Sequence, residues 1–182
     1  MKGTSTYHPP MSVFADVPDT AAPSLEAPKT QIGAKLAPFN PTNPDCVILA
    51  LDMLKLGEAD VLYDLGCGDG RFLIQGIKQC SRGVGIEYES LLCDRAREGV
   101  LQAGCADKVA ILHENVIDCD FTSATAIFVY LVPAGIAAIR PALEAALERG
   151  ARIVTYVFSI PGIVPQRVEK YKQSTTLYLY RK

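Results

Sequence analysis

Hydrophobic positions after residue 43 follow two alternating patterns. Short runs of mostly apolar residues, typical of buried strands, alternate with longer segments in which apolar residues recur every three or four positions, as on one face of a helix. The strand-like runs are Asp60–Leu65, Gly83–Glu87, Lys108–His113, Thr125–Leu131 and Arg152–Phe158. Strands that alternate with helices predict a parallel sheet with helices on both faces.

The helical segments have recognisable ends. Asn43 as N-cap and Pro44 at the first helical position open a helix that is expected to run to Leu56 and stop at Gly57. Pro141 cannot donate an amide hydrogen, so we expect it to split the segment after the fourth strand. The other predicted helices are Arg71–Cys80 and Ser90–Ala103.

The C-terminal segments Gln166–Tyr171 and Thr175–Tyr180 are typical of an antiparallel hairpin that closes one edge of the sheet. The run Thr125–Leu131 is almost continuously apolar, as in a central strand buried on both faces. The predicted fold class is therefore α/β: a Rossmann-like, seven-stranded, mostly parallel sheet with helices on both faces.

Residues 1–37 are rich in proline and show no sustained period of 2 or 3.6. We expect a flexible N-terminal tail, either a simple extension or a segment that folds over a ligand or a partner. Residues 38–182 then form one domain. With 182 residues, 49% of them hydrophobic, the chain can fill the core of such a domain.

Net charge limits the partners. A formal charge of -2 and a pI near 5.7 give no general basic field, so no strong nucleic-acid binding is expected. No apolar run reaches the roughly 18 residues that would indicate a transmembrane segment, and the first residues lack signal-peptide and transit-peptide patterns. The expectation is a soluble intracellular protein, cytoplasmic by default.

The six cysteines are spread thinly, without a CxxC pair, and are interpreted as reduced thiols. Only His8 and His113 could add histidine ligands, so no metal site is expected. His113 is interpreted as a strand-end residue rather than a general base.

The most informative motif is Val61-Leu-Tyr-Asp-Leu-Gly-Cys-Gly-Asp-Gly-Arg71, which leads from a strand into a helix. It places free helix-start amides at the carboxyl end of the sheet. A dinucleotide fingerprint requires a third glycine at the position of Arg71, and the Lys-Ser or Lys-Thr of a P-loop is absent. The motif therefore does not match either phosphate-binding loop.

Charge points to a different ligand. Asp64 and Asp69 flank the loop and no lysine lies within it, so a pyrophosphate would meet like charge. S-adenosylmethionine instead carries an ammonium and a sulfonium for carboxylates, a carboxylate for the helix-start amides, and a ribose diol. Glu87, about twenty residues beyond the loop, is placed to accept the ribose hydroxyl protons.

The segments DLGCGDG and GVGIEYE resemble the first two motifs of class I S-adenosylmethionine-dependent methyltransferases, with a resemblance that extends from Pro38 to Lys182. It implies that the first motif surrounds the methionine part, that Glu87 binds the ribose, and that Tyr88 contacts the adenine. Asn115, followed by Val116, stands where these enzymes usually carry an adenine-binding Asp. The implied cofactor-binding set is Asp64, Gly66, Cys67, Gly68, Asp69, Gly70, Glu87, Tyr88, Asn115 and Val116.

A longer pattern, PFNPTNPDCV, YDLGCGDGRF, VYLVP and IRPALEAALERGARIVTYVFSIPG, resembles the small protein-lysine methyltransferases. These include enzymes that act on the ATP synthase c subunit and the adenine nucleotide translocase, and bacterial relatives. The resemblance implies a protein lysine as methyl acceptor. The mitochondrial members carry a membrane-targeting segment that this tail lacks, so compartment does not transfer from them, although a mitochondrial location is not excluded.

The end of the fourth strand is where an acceptor would bind. It reads Val129-Tyr-Leu-Val-Pro133, not the Asp/Asn-Pro-Pro-Tyr/Phe typical of nucleobase and glutamine aminomethylases. If the acceptor is a lysine, an apolar channel beside Tyr130 and Pro133 would favour its neutral amine. These two residues are the candidate catalytic-site positions.

Three alternatives stay open at the level of sequence. The chain could methylate a small molecule, although no inserted lid is present to enclose one. It could be a noncatalytic subunit that uses the same fold to bind a partner. Its acceptor could also be RNA, although the sequence shows neither a basic tail nor an added RNA-binding domain.

Overall fold

The computed structural model describes residues 39–172 and 175–182. The predicted tail, residues 1–37, lies outside the described residues, so its boundary with the domain stays a prediction. In the described part of the chain, no helix has the length and apolar character needed to cross a membrane.

The sheet has seven strands in the order β3-β2-β1-β4-β5-β7-β6. Strands β1 to β5 pair in parallel, and β7 pairs antiparallel with both β5 and β6. The fold class, including the C-terminal hairpin, is confirmed. The strands are β1 Val61–Leu65, β2 Arg82–Glu87, β3 Val109–His113, β4 Ala126–Val129, β5 Arg152–Tyr156, β6 Arg167–Tyr171 and β7 Thr175–Tyr180.

Strand β4 occupies the middle of the sheet, as its apolar run predicts. Every residue from Ala126 to Val129 is buried. The strand is shorter than predicted at both ends, and Tyr130 and Leu131 follow it as irregular chain. Because Val129 pairs with Leu65, the end of β4 lies directly beside the end of β1.

Helices cover both faces of the sheet. One core cluster takes the buried side chains of α1, α2 and α3 together with one face of the strands. A second cluster takes the buried side chains of α4 with the other face. The helices are α1 Pro44–Leu54, α2 Arg71–Gly76, α3 Ser90–Gln102 and α4 Pro133–Glu148.

Helix α1 begins as predicted, because the Asn43 side chain accepts a hydrogen bond from the Asp45 amide at 2.9 Å. Its end was predicted wrongly. Lys55, with φ of 50°, adopts the left-handed conformation and its amide bonds the Leu51 carbonyl, so the helix ends before Gly57. A lysine stands here in a position where glycine is usual.

Helix α2 is also shorter than predicted, ending at Gly76 instead of Cys80. The amides of Lys78 and Gln79 bond carbonyls only three residues back, so the chain tightens and the α-helical pattern stops.

Pro141 does not split α4, contrary to the prediction. The proline is exposed, so the carbonyl left without an amide partner lies on the side of the helix that faces water. On the opposite side both halves of the helix are anchored in one core cluster. Its buried residues before and after the proline include Ile136, Ile139, Leu143 and Leu147. Packing here outweighs the cost of the missing hydrogen bond.

Two helical glycines, Gly76 in α2 and Gly99 in α3, test how closely these helices pack on their neighbours. A Cβ at Gly76 would lie 2.3 Å from Leu62 Cδ2, inside the core. Gly76→Ala should therefore lower the free energy of unfolding by about 1 to 3 kcal/mol through overpacking, measured by chemical denaturation.

The control is Gly99→Ala. There the nearest neighbour would be Ile74 Cδ1 at 3.3 Å, on a side chain that is only partly buried. The helix propensity gained, about 1 kcal/mol, should then leave stability unchanged or raised. Equal destabilisation by both substitutions would contradict the packing argument.

Candidate functional site

The glycine loop between β1 and α2 is folded tightly against β2. The amides of Gly66 and Cys67 both donate to the Ile86 carbonyl, at 2.9 and 3.0 Å. Gly70 has φ of 77°, and a Cβ there would lie 3.2 Å from the Cβ of Ala96 on α3. Glycine is needed at this position for both its backbone conformation and the close approach of α3.

Glu87 fixes the loop from the end of β2. Its Oε2 accepts the Gly68 amide at 2.9 Å and its Oε1 accepts the Glu89 amide at 2.8 Å, and the side chain is buried. A carboxylate oxygen has more than one acceptor site, so each oxygen can still accept a hydroxyl proton. The residue predicted to bind the ribose thus also holds the glycine loop in place.

Asp64, at the carboxyl end of β1, is a buried carboxylate with 3% exposure. Among the described residues no hydrogen bond or ion pair to this side chain is found. Its burial, together with the charges of Glu87 and Asp69, raises the pKa of the Asp64 carboxyl well above its usual range. The site therefore concentrates negative charge that a cationic ligand would stabilise.

Asp69 differs from Asp64. It forms a paired contact with Arg71, whose Nη2 lies 2.5 Å from Asp69 Oδ2, and this arginine lowers the pKa of the Asp69 carboxyl. The charge of Asp69 is thus largely balanced within the protein. Of the two acidic residues that flank the loop, Asp64 is the one available to a ligand's cation.

Cys67 contributes its backbone rather than its thiol. The thiol is buried, and a Cβ at Gly85 would lie 2.6 Å from its sulfur, so the side chain points into the core. Burial raises the pKa of this thiol, which makes it a poor nucleophile. All six cysteines are free thiols and five of them are buried.

The predicted adenine-side residues gather at the ends of β2 and β3, where Glu87 pairs with His113. His113 Nε2 donates to the Tyr88 carbonyl at 3.0 Å and so anchors the segment after β2, in keeping with a structural role. Asn115 Oδ1 accepts the Ile117 amide at 3.2 Å. Val116 is buried in the core cluster that contains α4.

Tyr130 comes to the same edge of the sheet, beside the glycine loop. A Cβ at Gly66 would lie 3.9 Å from the Tyr130 carbonyl oxygen. The Tyr130 ring packs edge-to-face on Tyr156, with ring centres 4.6 Å apart. Pro133 is exposed at the first position of α4.

Two further residues at this edge were missed by the sequence analysis. A Cβ at Gly68 would lie only 2.8 Å from the Phe39 ring, so Phe39 rests directly on the loop. Asn40 Nδ2 donates to the Tyr130 hydroxyl at 2.9 Å. Both lie in the PFNPT segment, which carried the family resemblance but indicated no contact.

This combination of sheet order, a glycine loop after β1 and an acidic residue at the end of β2 defines the class I S-adenosylmethionine-dependent methyltransferases. The cofactor fits the charge of the site, because its ammonium and sulfonium would offset the buried Asp64 carboxylate. The chain is a methyltransferase that uses S-adenosylmethionine.

Comparison with known proteins identifies the family. The model of the ANTKMT methyltransferase domain matches residues 64–167. The chain is 31% identical over 148 residues to a protein-lysine N-methyltransferase of Saccharolobus islandicus, covering 79% of this chain and 92% of the relative. It is 29% identical over 114 residues to the mouse adenine nucleotide translocase lysine N-methyltransferase, covering 62% of this chain and 49% of the relative.

The chain is also similar to a solved methyltransferase structure. An RNA methyltransferase from Salinibacter ruber, in complex with S-adenosyl-L-homocysteine, matches with a TM-score of 0.74 and 34% identity, over 78% of this chain and 92% of that chain. The chain therefore belongs to the ANTKMT methyltransferase domain family, and the predicted resemblance is confirmed. It spans about half the length of the mouse relative.

The burial of Asp64 predicts that this residue lowers the stability of the cofactor-free protein and strengthens the binding of the cofactor. Since the folded pKa of Asp64 is raised, the folded state binds more protons than the unfolded state above the usual Asp pKa, and stability falls as pH rises through that window. Asp64→Asn should raise the melting temperature of the cofactor-free protein near pH 7, by about 2 to 4 °C per kcal/mol gained. The gain should shrink below about pH 4, where the Asp64 carboxyl of the wild type is neutral in both the folded and the unfolded state.

The same variant should bind S-adenosylmethionine more weakly in calorimetry. Asp107→Asn, at an exposed position, serves as the control and should change neither quantity. A cofactor-free Asp64→Asn protein that melts below the wild type at pH 7 would contradict the electrostatic argument.

Proposed function

We propose that this protein is a protein-lysine N-methyltransferase that transfers the methyl group of S-adenosylmethionine to the ε-amine of a lysine in another protein. The observation that carries the proposal is the likeness to the archaeal protein-lysine enzyme, which the chain matches over almost the whole of that relative's length. The catalytic unit in this proposal is residues 38–182, preceded by the tail.

The proposed cofactor contacts follow from the chemistry of each group. Asp64 would face the ammonium, and the helix-start amides after Gly70 would face the carboxylate. Glu87 would accept the ribose hydroxyl protons while it holds the Gly68 amide. Tyr88 and Asn115 would flank the adenine, and the remaining positions, Gly66, Cys67, Gly68, Asp69 and Val116, would line the cofactor mainly through backbone or packing.

The bound cofactor supplies a methyl group activated by a sulfonium, so the protein needs chiefly to align the acceptor. A lysine must first lose a proton. The rings of Tyr130 and Tyr156 form apolar surface that disfavours an ammonium and so favours the reactive neutral amine. In this proposal Pro133, at the start of α4, would border the acceptor channel. No strong base is required for the transfer itself.

We further propose that the protein acts in the cytoplasm. The six free thiols favour a reducing compartment over an oxidising one.

Glu87→Ala tests the cofactor site. Loss of charge-assisted bonds to the ribose, each about 1.5 to 3 kcal/mol, should weaken S-adenosylmethionine binding about tenfold to a hundredfold in calorimetry. Glu98→Ala, on the surface of α3, is the matched control and should bind as the wild type does. Unchanged affinity in a folded Glu87→Ala protein would remove Glu87 from the proposed site.

The acceptor is tested with radiolabelled S-adenosylmethionine and a lysate of the source cells. The label should enter a macromolecular fraction that resists nuclease and is lost on protease treatment, and acid hydrolysis should release methyl-lysine. Glu87→Ala at low cofactor concentration is the negative control.

The likeness to an enzyme described as an RNA methyltransferase makes RNA the second candidate acceptor. Label that is lost to nuclease and yields no methyl-lysine would support RNA and overturn the lysine proposal. Label found only in the small-molecule filtrate would overturn both.

A further inference from the structure

The segment just before α1 crosses the edge of the sheet where the glycine loop and Tyr130 meet. Phe39 lies against Gly68 and Asn40 bonds Tyr130, across 90 residues of sequence. The segment is fixed at its other end, because Thr42 is buried and Asn43 caps α1. Its position is therefore tied to both the cofactor loop and the end of β4.

Phe39 and Asn40 are nevertheless exposed, Phe39 by 41%. A large exposed aromatic ring placed against a ligand-binding loop leaves one apolar face uncovered. Gly68 cannot carry a side chain without displacing this ring, so the loop and Phe39 fit one another closely. The open face of Phe39 and the polar end of Asn40 lie on adjoining residues.

The hydrogen bond between Asn40 and Tyr130 fixes which polar atoms stay available. Asn40 uses Nδ2 as donor, which leaves its Oδ1 as an acceptor. The Tyr130 oxygen accepts this bond and keeps a second acceptor site. Two neutral acceptors thus lie close together beside apolar ring surface, an arrangement suited to a group that carries two N–H donors and an apolar stem.

We propose that Phe39 and Asn40 form the acceptor side of the methyl-transfer site. Asn40 Oδ1 and Tyr130 Oη accept the two N–H hydrogens of the neutral lysine amine, and Phe39 packs on its methylene stem. This inference rests on the proposed lysine specificity.

The two hydrogen bonds direct the nitrogen lone pair. The lysine ammonium first releases a proton to solvent and becomes the neutral amine. Its lone pair then forms the new bond to the methyl carbon as the carbon–sulfur bond breaks and its electron pair passes to sulfur. The methylated ammonium loses its extra proton afterwards. Asn40 is neutral, so it orients the amine while stabilising the unreactive ammonium less than a carboxylate would.

The test uses the full chain, with the protein fraction of the source-cell lysate as acceptor and methyl-lysine as the measured product. Asn40→Ala should lower the rate at saturating acceptor about three- to tenfold, the loss expected for one hydrogen bond made in the transition state. Tyr130→Phe should lower it to a similar extent, and Phe39→Ala should chiefly raise the acceptor concentration needed for half-maximal rate. The affinity of the Asn40 variants for S-adenosyl-L-homocysteine should stay within about twofold of wild type, because a single neutral amide is lost outside the cofactor contacts.

Asn40→Asp separates an acceptor role from a merely structural one. A carboxylate beside the bound amine would favour its protonated form, so the acid limb of the rate at saturating acceptor should move to higher pH by about one unit. Gln79→Ala removes an exposed amide after α2 and should leave the rate and its pH profile unchanged.

The outcomes distinguish the two proposals. If the wild-type protein forms no methyl-lysine, the proposed function fails and this inference fails with it. If the wild type forms methyl-lysine while Asn40→Ala keeps the full rate and Asn40→Asp keeps the wild-type pH profile, only the assignment of Asn40 is overturned. Weakened cofactor binding by Asn40→Ala in proportion to its lost rate would likewise reduce Asn40 to a structural contact.

Discussion

The site depends on two neighbouring buried carboxylates that the protein treats differently. Glu87 is held by the Gly68 and Glu89 amides, so its charge fixes the glycine loop. Asp64 has no such partner among the described residues. Its raised pKa shows that burial destabilises the charged form of this carboxyl. A buried carboxylate without a partner destabilises the folded protein unless a cationic ligand binds beside it. This pair of carboxylates therefore identifies the charge of the ligand more directly than the glycines do.

The sheet determines what can meet at these carboxylates. Strand β4 lies between β1 and β5 and is buried throughout, so its position and register are strongly specified. Pairing of Val129 with Leu65 then places Tyr130 beside Gly66. The ring of Tyr156, at the end of β5, supports Tyr130 from the other side. Core packing thereby brings the donor loop and the candidate acceptor residues to one edge.

Sequence reasoning located all seven strands of the described sheet, five of them as short, mostly apolar runs and the last two as the arms of a hairpin. It failed where packing or backbone strain outweighs a local rule. Pro141 stays inside α4 since both flanks are anchored in the core, and Lys55 ends α1 in a conformation that favours glycine. It also missed Asn40, whose partner lies 90 residues away and leaves no periodic signal. Contacts of that kind follow only from the folded topology.

The methyl donor was easier to infer from the sequence than the methyl acceptor, because local motifs are visible in a sequence and long-range contacts are not. The donor side is built from one continuous stretch of the chain that includes β1, the glycine loop and β2. The residues expected to bind the donor therefore lie close together in the sequence. The proposed acceptor side is assembled from three distant segments that carry Phe39 and Asn40, Tyr130, and Tyr156. The chain is similar both to a protein-lysine N-methyltransferase and to an RNA methyltransferase, so likeness in fold does not by itself identify the acceptor.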